Sequence, residues 1–249
     1  MNVSLVVHRV GPNTANNVAQ MDLAVTQSAK AGAHIVLFSE AATTGLILND
    51  DPRHDLMLGE PIPGPAVAHF SELARSSHIY VGFGILERDG AALYDAAVLL
   101  GPTGDLLLKY RRIDPGWHSQ TGESRLCREG TLCPAVDTPV GRFAFAICGD
   151  LFNDTVAEQV RLQHPDYLLM PFARSFDSGL YDQQRWESEE RRTYVSRVQD
   201  MGVTTFMTNS LGEKSFDGGT FGGAMVVHAG GRITHSLHLG MPGMIVAAV

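Results

Sequence analysis

The chain has 249 residues, of which 44% are hydrophobic and 18% are charged, and this composition excludes a disordered or fibrous protein. Its 19 Lys and Arg residues against 27 Asp and Glu residues give a formal net charge of −8. A negative balance of this size disfavours binding to phosphate backbones and to anionic lipid surfaces. We therefore expect neither a nucleic acid nor a membrane as a partner.

The apolar runs are far shorter than a membrane span. Residues 244–249 form one of the longest of them, whereas a spanning helix needs about 20 apolar residues. The first nine residues have no basic stretch ahead of an apolar core, so they predict a first strand rather than a secretory leader. The three cysteines, Cys127, Cys133 and Cys148, are too few and too odd in number for a disulfide framework. These features predict a cytoplasmic location.

In the first half of the chain, apolar strands alternate with amphipathic helices, which is the pattern of βαβ units. Turn residues at 88–90 and 101–105 predict two hairpins, so parallel and antiparallel pairing should be mixed. The predicted elements are strands at residues 3–8, 34–38, 79–86, 97–100 and 106–110, and helices at residues 14–31 and from Pro65 onward.

The second half repeats this scheme, and no linker or low-complexity segment interrupts it. Its predicted strands lie at residues 143–148, 167–170, 203–208, 224–228, 233–237 and 244–248, and its predicted helices lie at residues 154–163 and 182–201. We therefore predict a single α/β domain over residues 1–249.

Two polar stretches, residues 44–59 and 175–184, lack a clear helix or strand pattern. Each is either a solvated loop or a lid over a site. The length of the first stretch favours a loop.

Signatures of common cofactor sites are missing. The sequence has no P-loop, no dinucleotide-binding glycine motif, no H-E-x-x-H, no C-x-x-C and no serine nucleophile elbow. What remains is three reactive side chains, each at or just past the end of an apolar run: Glu40 after residues 34–38, Lys109 at the end of residues 106–109, and Cys148 after residues 143–147. Active sites of α/β folds lie at such strand ends. A thiol at a strand-to-helix turn also meets backbone N–H groups that favour a thiolate.

Each of these residues also has a structural interpretation. Cys148 could be a small core residue, Glu40 could cap a helix, and Lys109 could lie on a solvated hairpin edge. The residues alone leave both interpretations open.

The order Glu40, Lys109, Cys148, with intervals of 69 and 39 residues, resembles the nitrilase, or carbon–nitrogen hydrolase, superfamily. In that superfamily a His more often stands two residues after the Lys, the position of Arg111 here. The similar segments run through nearly the whole chain: residues 37–40, 109–112, 122–125, 147–152, 197–201 and 208–212.

The resemblance implies a four-layer αββα sandwich and a homodimer or larger assembly. It implies a Glu-Lys-Cys triad in which Cys148 attacks an amide carbon, Glu40 moves protons and Lys109 stabilises the oxyanion. It further implies that Glu123 orients Lys109 or the substrate amine, although Glu123 could instead be a loop carboxylate. This chemistry requires no metal and no organic cofactor.

Two further residues are candidates for substrate binding. Gly149 follows the nucleophile, where relatives place a side chain, so it could widen the pocket. Arg174 follows a strand and could hold a substrate carboxylate, or it could be a surface residue paired with Asp177 or Glu187.

The predicted function is that of an amidase, which converts a small carboxamide or N-carbamoyl compound to an acid plus ammonia or amine. Nitrile hydrolysis is an alternative, but relatives with that activity tend to have Trp-Glu after the nucleophile, where this chain has Gly149 and Asp150. A non-catalytic nitrilase-like binding module is the other alternative.

Overall fold

The computed structural model describes residues 1–116 and 126–249, and alternates strands with helices along most of the chain. The strands are β1 (Asn2–Val7), β2 (Ile35–Leu37), β3 (Tyr80–Asp89), β4 (Ala92–Leu100), β5 (Leu106–Arg111), β6 (Ala135–Thr138), β7 (Gly141–Phe145), β8 (Tyr167–Phe172), β9 (Thr204–Asn209), β10 (Gly222–Val227), β11 (Ile233–Leu239) and β12 (Gly243–Ala248). The helices are α1 (Thr14–Lys30), α2 (Pro52–Leu58), α3 (Pro65–Ser77), α4 (Asp154–Leu162), α5 (Gln183–Arg185), α6 (Arg191–Met201) and α7 (Lys214–Asp217). No helix of the described ranges is long and apolar enough to cross a bilayer.

The strands form two six-stranded sheets. The first has the order β12-β1-β2-β3-β4-β5, and the second has the order β11-β10-β9-β8-β7-β6. The neighbours β1, β2 and β3 are parallel, as are β7, β8 and β9, whereas the hairpins at the sheet edges are antiparallel. Both sheets are therefore mixed, as the turn residues predict.

The two sheets face each other and helices flank them. Leu37 of the first sheet and Phe145 and Leu169 of the second are fully buried in one apolar core, to which α4 and α6 also contribute. Helices α1 and α3 pack against the first sheet through a second core that includes Met21 and Phe70. The predicted four-layer αββα sandwich is thus confirmed, because each sheet buries both of its faces.

The stretch of residues 44–59 is not a plain solvated loop. It contains α2, which Asp51 caps by accepting a hydrogen bond of 2.9 Å from the backbone N–H of Arg53. Leu56 and Leu58 pack against a small apolar cluster. Polar residues dominate the start of this helix and its apolar residues are few. The length of the stretch therefore did not predict that it contains a helix.

The predicted helix at residues 182–201 consists of three pieces. A π-helical turn, Trp186–Glu190, separates α5 from α6, although the backbone runs through it without leaving the helical region. The wider turn changes which side chains face inward, and such turns are frequent at functional sites. The short elements β6 and α7 have no strong periodicity, and the sequence did not predict them.

Candidate active site

Glu40 lies in a tight turn just beyond β2. The backbone N–H of Gly84 in β3 donates to the carbonyl oxygen of Ser39 at 3.0 Å, and the N–H of Ala42 donates to the carbonyl oxygen of Gly84 at 2.9 Å. A Cβ on Gly84 would lie 2.5 Å from the Cα of Glu40, so only glycine allows this approach. The turn sends the Glu40 side chain into the interior, where it is fully buried.

Cys148 lies three residues beyond β7 and starts a 3₁₀ turn, Cys148–Phe152. Its φ is +48°, a left-handed conformation that is unfavourable for a side chain with a Cβ and that is often found at active sites. The thiol is free, and the residue is half-buried. A thiol at a strained turn between a strand and a helix suits a nucleophile.

Asp150 holds this turn in place. One of its carboxylate oxygens accepts from the Tyr110 hydroxyl at 2.6 Å and from the Ile147 N–H at 3.1 Å, and the other accepts from the Asp114 N–H at 2.8 Å. Burial raises the pKa of Asp150, and these hydrogen bonds oppose that rise. Asp150 thereby ties the Cys148 turn to the end of β5.

Arg112 is the cation of this site. It lies one residue beyond β5, and its side chain is 6% exposed. Its Nη1 donates to Oε1 of Glu40 at 2.9 Å and to Oδ2 of Asp95 at 3.1 Å. Its Nε donates to the carbonyl oxygen of Asp114 at 3.0 Å. One buried guanidinium therefore bridges two buried carboxylates.

Lys109 does not lie at this site, so its predicted place beside Glu40 and Cys148 is wrong. Side chains of a strand alternate between its faces, and Arg112, one residue beyond β5, continues the inner face to which Tyr110 belongs. Lys109 and Arg111 point to the opposite face, where Nζ of Lys109 contacts Oε1 of Glu87 at 2.8 Å. A basic residue at the end of this apolar run does indicate the cation of the site. The alternation of side chains along β5, however, places Arg112 rather than Lys109 next to Glu40.

The charges around Glu40 are unbalanced. Burial raises the pKa of Glu40 well above 4.5, the charges of Cys148 and Asp95 raise it further, and Arg112 opposes the rise. Within the described ranges, no N–H or hydroxyl group donates to Oε2 of Glu40 or Oδ1 of Asp95, and a hydrogen bond between the two carboxyl groups also raises the pKa of Glu40. A buried carboxyl group with a raised pKa next to a thiol can take the thiol proton and later return it.

Gly149 does not open the pocket in the expected way. A Cβ at this position would lie 2.8 Å from Nη2 of Arg112, so the guanidinium occupies the space that a side chain would need. Gly149 thus contacts the cation of the site. The sequence contained no signal for this contact, because it depends on the register of β5.

Arg174 lies beyond β8 and pairs with Glu190, not with Asp177 or Glu187. Its Nε and Nη2 donate to the two carboxylate oxygens of Glu190 at 3.2 and 3.0 Å, and its Nη1 donates to the carbonyl oxygen of Ser175 at 2.8 Å. The Arg174 side chain is 39% exposed. Most of its donors are therefore already in use.

The buried Tyr194 packs among other aromatic rings. Burial raises the pKa of Tyr194, and the charge of Cys148 raises it further. The Tyr194 ring lies 5.7 Å from that of Phe172 and 5.3 Å from that of Trp186, between ring centroids. Trp186 belongs to the π-helical turn. The predicted site residue Glu123 falls outside the described residues.

The sequence profile of the carbon–nitrogen hydrolase family matches residues 5–249. Nitrilase 1 of Arabidopsis thaliana is 27% identical over 154 residues, which are 55% of this chain and 43% of that protein. An omega-amidase of Mus musculus is 28% identical over 199 residues, which are 78% of this chain and 70% of that protein. The chain thus spans less than half the length of nitrilase 1.

Solved structures share the fold. A carbon–nitrogen hydrolase from Helicobacter pylori G27 superposes with a TM-score of 0.85 at 20% identity, covering 99% of this chain and 88% of that one. A mutant of the amidase from Nesterenkonia sp. AN1, with acrylamide added at its active-site cysteine, superposes with a TM-score of 0.81 at 18% identity, covering 100% of this chain and 93% of that one. The family profile, which extends over nearly all of the sequence, establishes that the chain belongs to the carbon–nitrogen hydrolase family.

Proposed function

We propose that the protein is a cysteine-dependent hydrolase of non-peptide C–N bonds, and that it acts as an amidase on a small carboxamide or N-carbamoyl compound. The observation that carries this proposal is the geometry at the ends of β2, β5 and β7, where Arg112 binds Glu40 at 2.9 Å and lies against Gly149, the residue after Cys148. A base, a cation and a nucleophile are the three groups that acyl transfer from an amide needs.

The first half-reaction forms a thioester. The thiol of Cys148 passes its proton to Glu40, and the sulfur attacks the carbonyl carbon of the amide. The negative charge that develops on the carbonyl oxygen is stabilised by the guanidinium of Arg112, an interaction worth a few kcal/mol where solvent is excluded. When the C–N bond breaks, Glu40 returns the proton to the nitrogen, which leaves as ammonia or amine.

The second half-reaction releases the acid. Glu40, ionised again, takes a proton from a water molecule that attacks the thioester carbon. The C–S bond breaks, and the proton returns from Glu40 to the sulfur of Cys148. The carboxylic acid departs, and the starting state is restored. Arg112 takes the role that the sequence assigned to Lys109.

The test is a screen for ammonia release from amides, nitriles, ureas and carbamoyl amino acids. We expect wild-type protein to release ammonia from an amide or carbamoyl compound and C148A to release none. Cys127 is another free, half-buried cysteine, so C127A is the matched control and should keep its activity. Activity that survives in C148A would contradict the proposal.

Arg174 is the candidate for substrate recognition outside the triad. The pair that it forms with Glu190 leaves a partly exposed guanidinium within electrostatic reach of Cys148. We expect R174A to raise KM for amides that carry a carboxylate more than for neutral amides. An equal effect on both substrate groups would limit Arg174 to holding Glu190.

Nitrile hydrolysis is the second candidate function, and the similarity to Arabidopsis nitrilases is the observation that favours it. The same screen separates the two, because a nitrilase releases ammonia from nitriles faster than from amides. A non-catalytic binding module would contain a Cys148 thiol inert to iodoacetamide at neutral pH. A homodimeric assembly and a cytoplasmic location stay predictions.

A further inference from the structure

The guanidinium of Arg112 is held on three sides. Nε is bound to the carbonyl oxygen of Asp114, and Nη1 is shared by Glu40 and Asp95. The backbone N–H of Arg112 also donates to the carbonyl oxygen of Asp95 at 2.8 Å. The planar fork of an arginine fits such a set of partners, whereas a lysine ammonium has no fixed plane. The site is built around the shape of a guanidinium.

The fourth side of the guanidinium faces Gly149. Its Nη2 would lie 2.8 Å from a Cβ at that position, a distance that real Cβ atoms do not adopt. The tip of an exposed arginine could move aside, but Arg112 is buried and bonded at Nε and Nη1. A methyl group at position 149 must therefore displace the cation or the Cys148 turn.

Asp95 adds a negative charge that Arg112 alone does not balance. Its side chain is fully buried, and within the described ranges its Oδ1 has no donor other than the carboxyl group of Glu40. Among the residues that the structure describes, Glu40 and Asp95 share one cation, and one proton can lie between their carboxyl groups, since two buried like charges disfavour each other.

We propose that Arg112, Gly149 and Asp95 form one interdependent unit, in which Gly149 admits the guanidinium beside Cys148 and Asp95 positions the guanidinium against Glu40. This inference rests on the proposed function for its activity readout. Gly149 and Asp95 are positioning residues that act through Arg112 and Glu40. The unit predicts that substitutions at positions 112 and 149 are coupled and that substitution at position 95 changes the pH dependence.

The first experiment is a double-mutant cycle of R112K and G149A. We expect G149A to lower kcat/KM by about tenfold or more in the wild-type background. In the R112K background, the slimmer ammonium leaves space for the methyl group, so we expect G149A to change kcat/KM by less than about threefold. The control is G11A, because a Cβ on Gly11 meets no atom within 4 Å.

The cycle is decided by comparing the loss that G149A causes in the wild-type background with the loss that it causes in the R112K background. A loss in wild type that disappears in R112K supports the unit, whether the loss is of activity or of folding measured by circular dichroism. An equal loss in both backgrounds contradicts it. The rate at which iodoacetamide alkylates Cys148 provides a readout without substrate, so coupling can be measured even if no amide is hydrolysed. Failure of the proposed function and failure of this inference are thus distinguishable.

The second experiment measures the pH profile of D95N. The described groups that act on Glu40, Arg112 and the thiol from the surrounding elements are Asp95, Asp150, Arg174 and Tyr194. Removing the negative charge of Asp95 lowers the pKa of Glu40. We therefore expect the acid limb of kcat/KM to move to lower pH by about half a unit or more in D95N.

The control for this profile is D89N. Asp89 pairs with Arg111 on the other face of β5 and does not reach Glu40. Its substitution should leave the acid limb in place. A merely structural Asp95 would lower the rate without moving the limb. A limb that stays fixed or moves to higher pH in D95N would contradict the proposal.

Discussion

The carboxylates on the two faces of β5 differ in how many cations bind each of them. On the outer face, two cations, Lys109 and Arg111, bind Glu87, and Arg111 also binds Asp89. On the inner face, the described residues place one cation, Arg112, which Glu40 and Asp95 share. These pairs arise from alternate residues of the same strand end.

The proportion of charges decides what each carboxyl group can do. Burial acts to raise the pKa of Glu87, but hydrogen bonds and charges from Arg111 and Lys109 outweigh it, and the pKa is lowered. Burial and two neighbouring negative charges raise the pKa of Glu40, and Arg112 alone opposes them. A carboxylate that two cations bind stays ionised and has a structural role. A carboxylate that shares one cation with a second carboxylate can exchange a proton with a neighbouring group.

The largest effect should come from removing the inner cation. We expect R112A to lower kcat by about a hundredfold or more, the size typical of a lost oxyanion donor. We expect K109A to keep kcat within about threefold, because Lys109 faces away from Cys148. Steady-state ammonia release measures both. Wild-type activity in R112A, or a loss in K109A as large as that in R112A, would assign the cation to the outer face.

The fold could be predicted well from the sequence because apolar periodicity is strong in the buried elements. The strand at residues 34–38 and the helix at residues 14–31 lie within about one residue of β2 and α1. Short elements with few apolar positions, such as α2 and β6, could not be found in this way. Their positions depend on contacts with distant residues rather than on local pattern.

The site was harder to predict because it depends on one-residue choices. Glu40 and Cys148 follow apolar strands, and Arg112 links them, because it binds Glu40 and lies against Gly149, the residue after Cys148. Choosing between Lys109 and Arg112 required the face of β5, and a shift of one or three residues reverses the face. Asp95 carries no local signal, since an acidic residue in an antiparallel strand normally faces solvent.

The second-largest effect should be on thermal stability. Replacing the buried Glu by Gln should raise Tm on the inner face and lower it on the outer face. In the folded protein the pKa of Glu40 is raised above 4.5, so the folded state loses stability as pH rises above that value. The neutral side chain of E40Q avoids this loss. We expect E40Q to raise Tm at pH 8 by a few degrees, the usual size of a single-substitution effect in a chain of this length, and by less at pH 5.

E87Q is the matched variant on the outer face. The pKa of Glu87 is lowered below 4.5, so its ionised form contributes stability above that value, and the contribution is lost as pH falls through the lowered pKa. We expect E87Q to lower Tm at pH 8, with a difference from wild type that shrinks toward acid pH. Thermal unfolding between pH 4 and pH 8 measures both variants. If both variants changed Tm in the same direction at pH 8, the contrast between the two faces would be refuted.

The smallest effect should come from Lys109 itself. K109A removes one contact of 2.8 Å to Glu87, whereas Arg111 still binds both carboxylate oxygens of Glu87 at 2.7 and 2.8 Å. Because the ammonium is partly exposed, we expect K109A to lower the free energy of unfolding by less than about 1 kcal/mol. R111A should cost more, since Arg111 also binds Asp89 and lies 3.7 Å from the ring centroid of Tyr94. Urea unfolding of the two variants tests this order. A larger loss in K109A would mean that Lys109, rather than Arg111, is the main partner of Glu87 on the outer face.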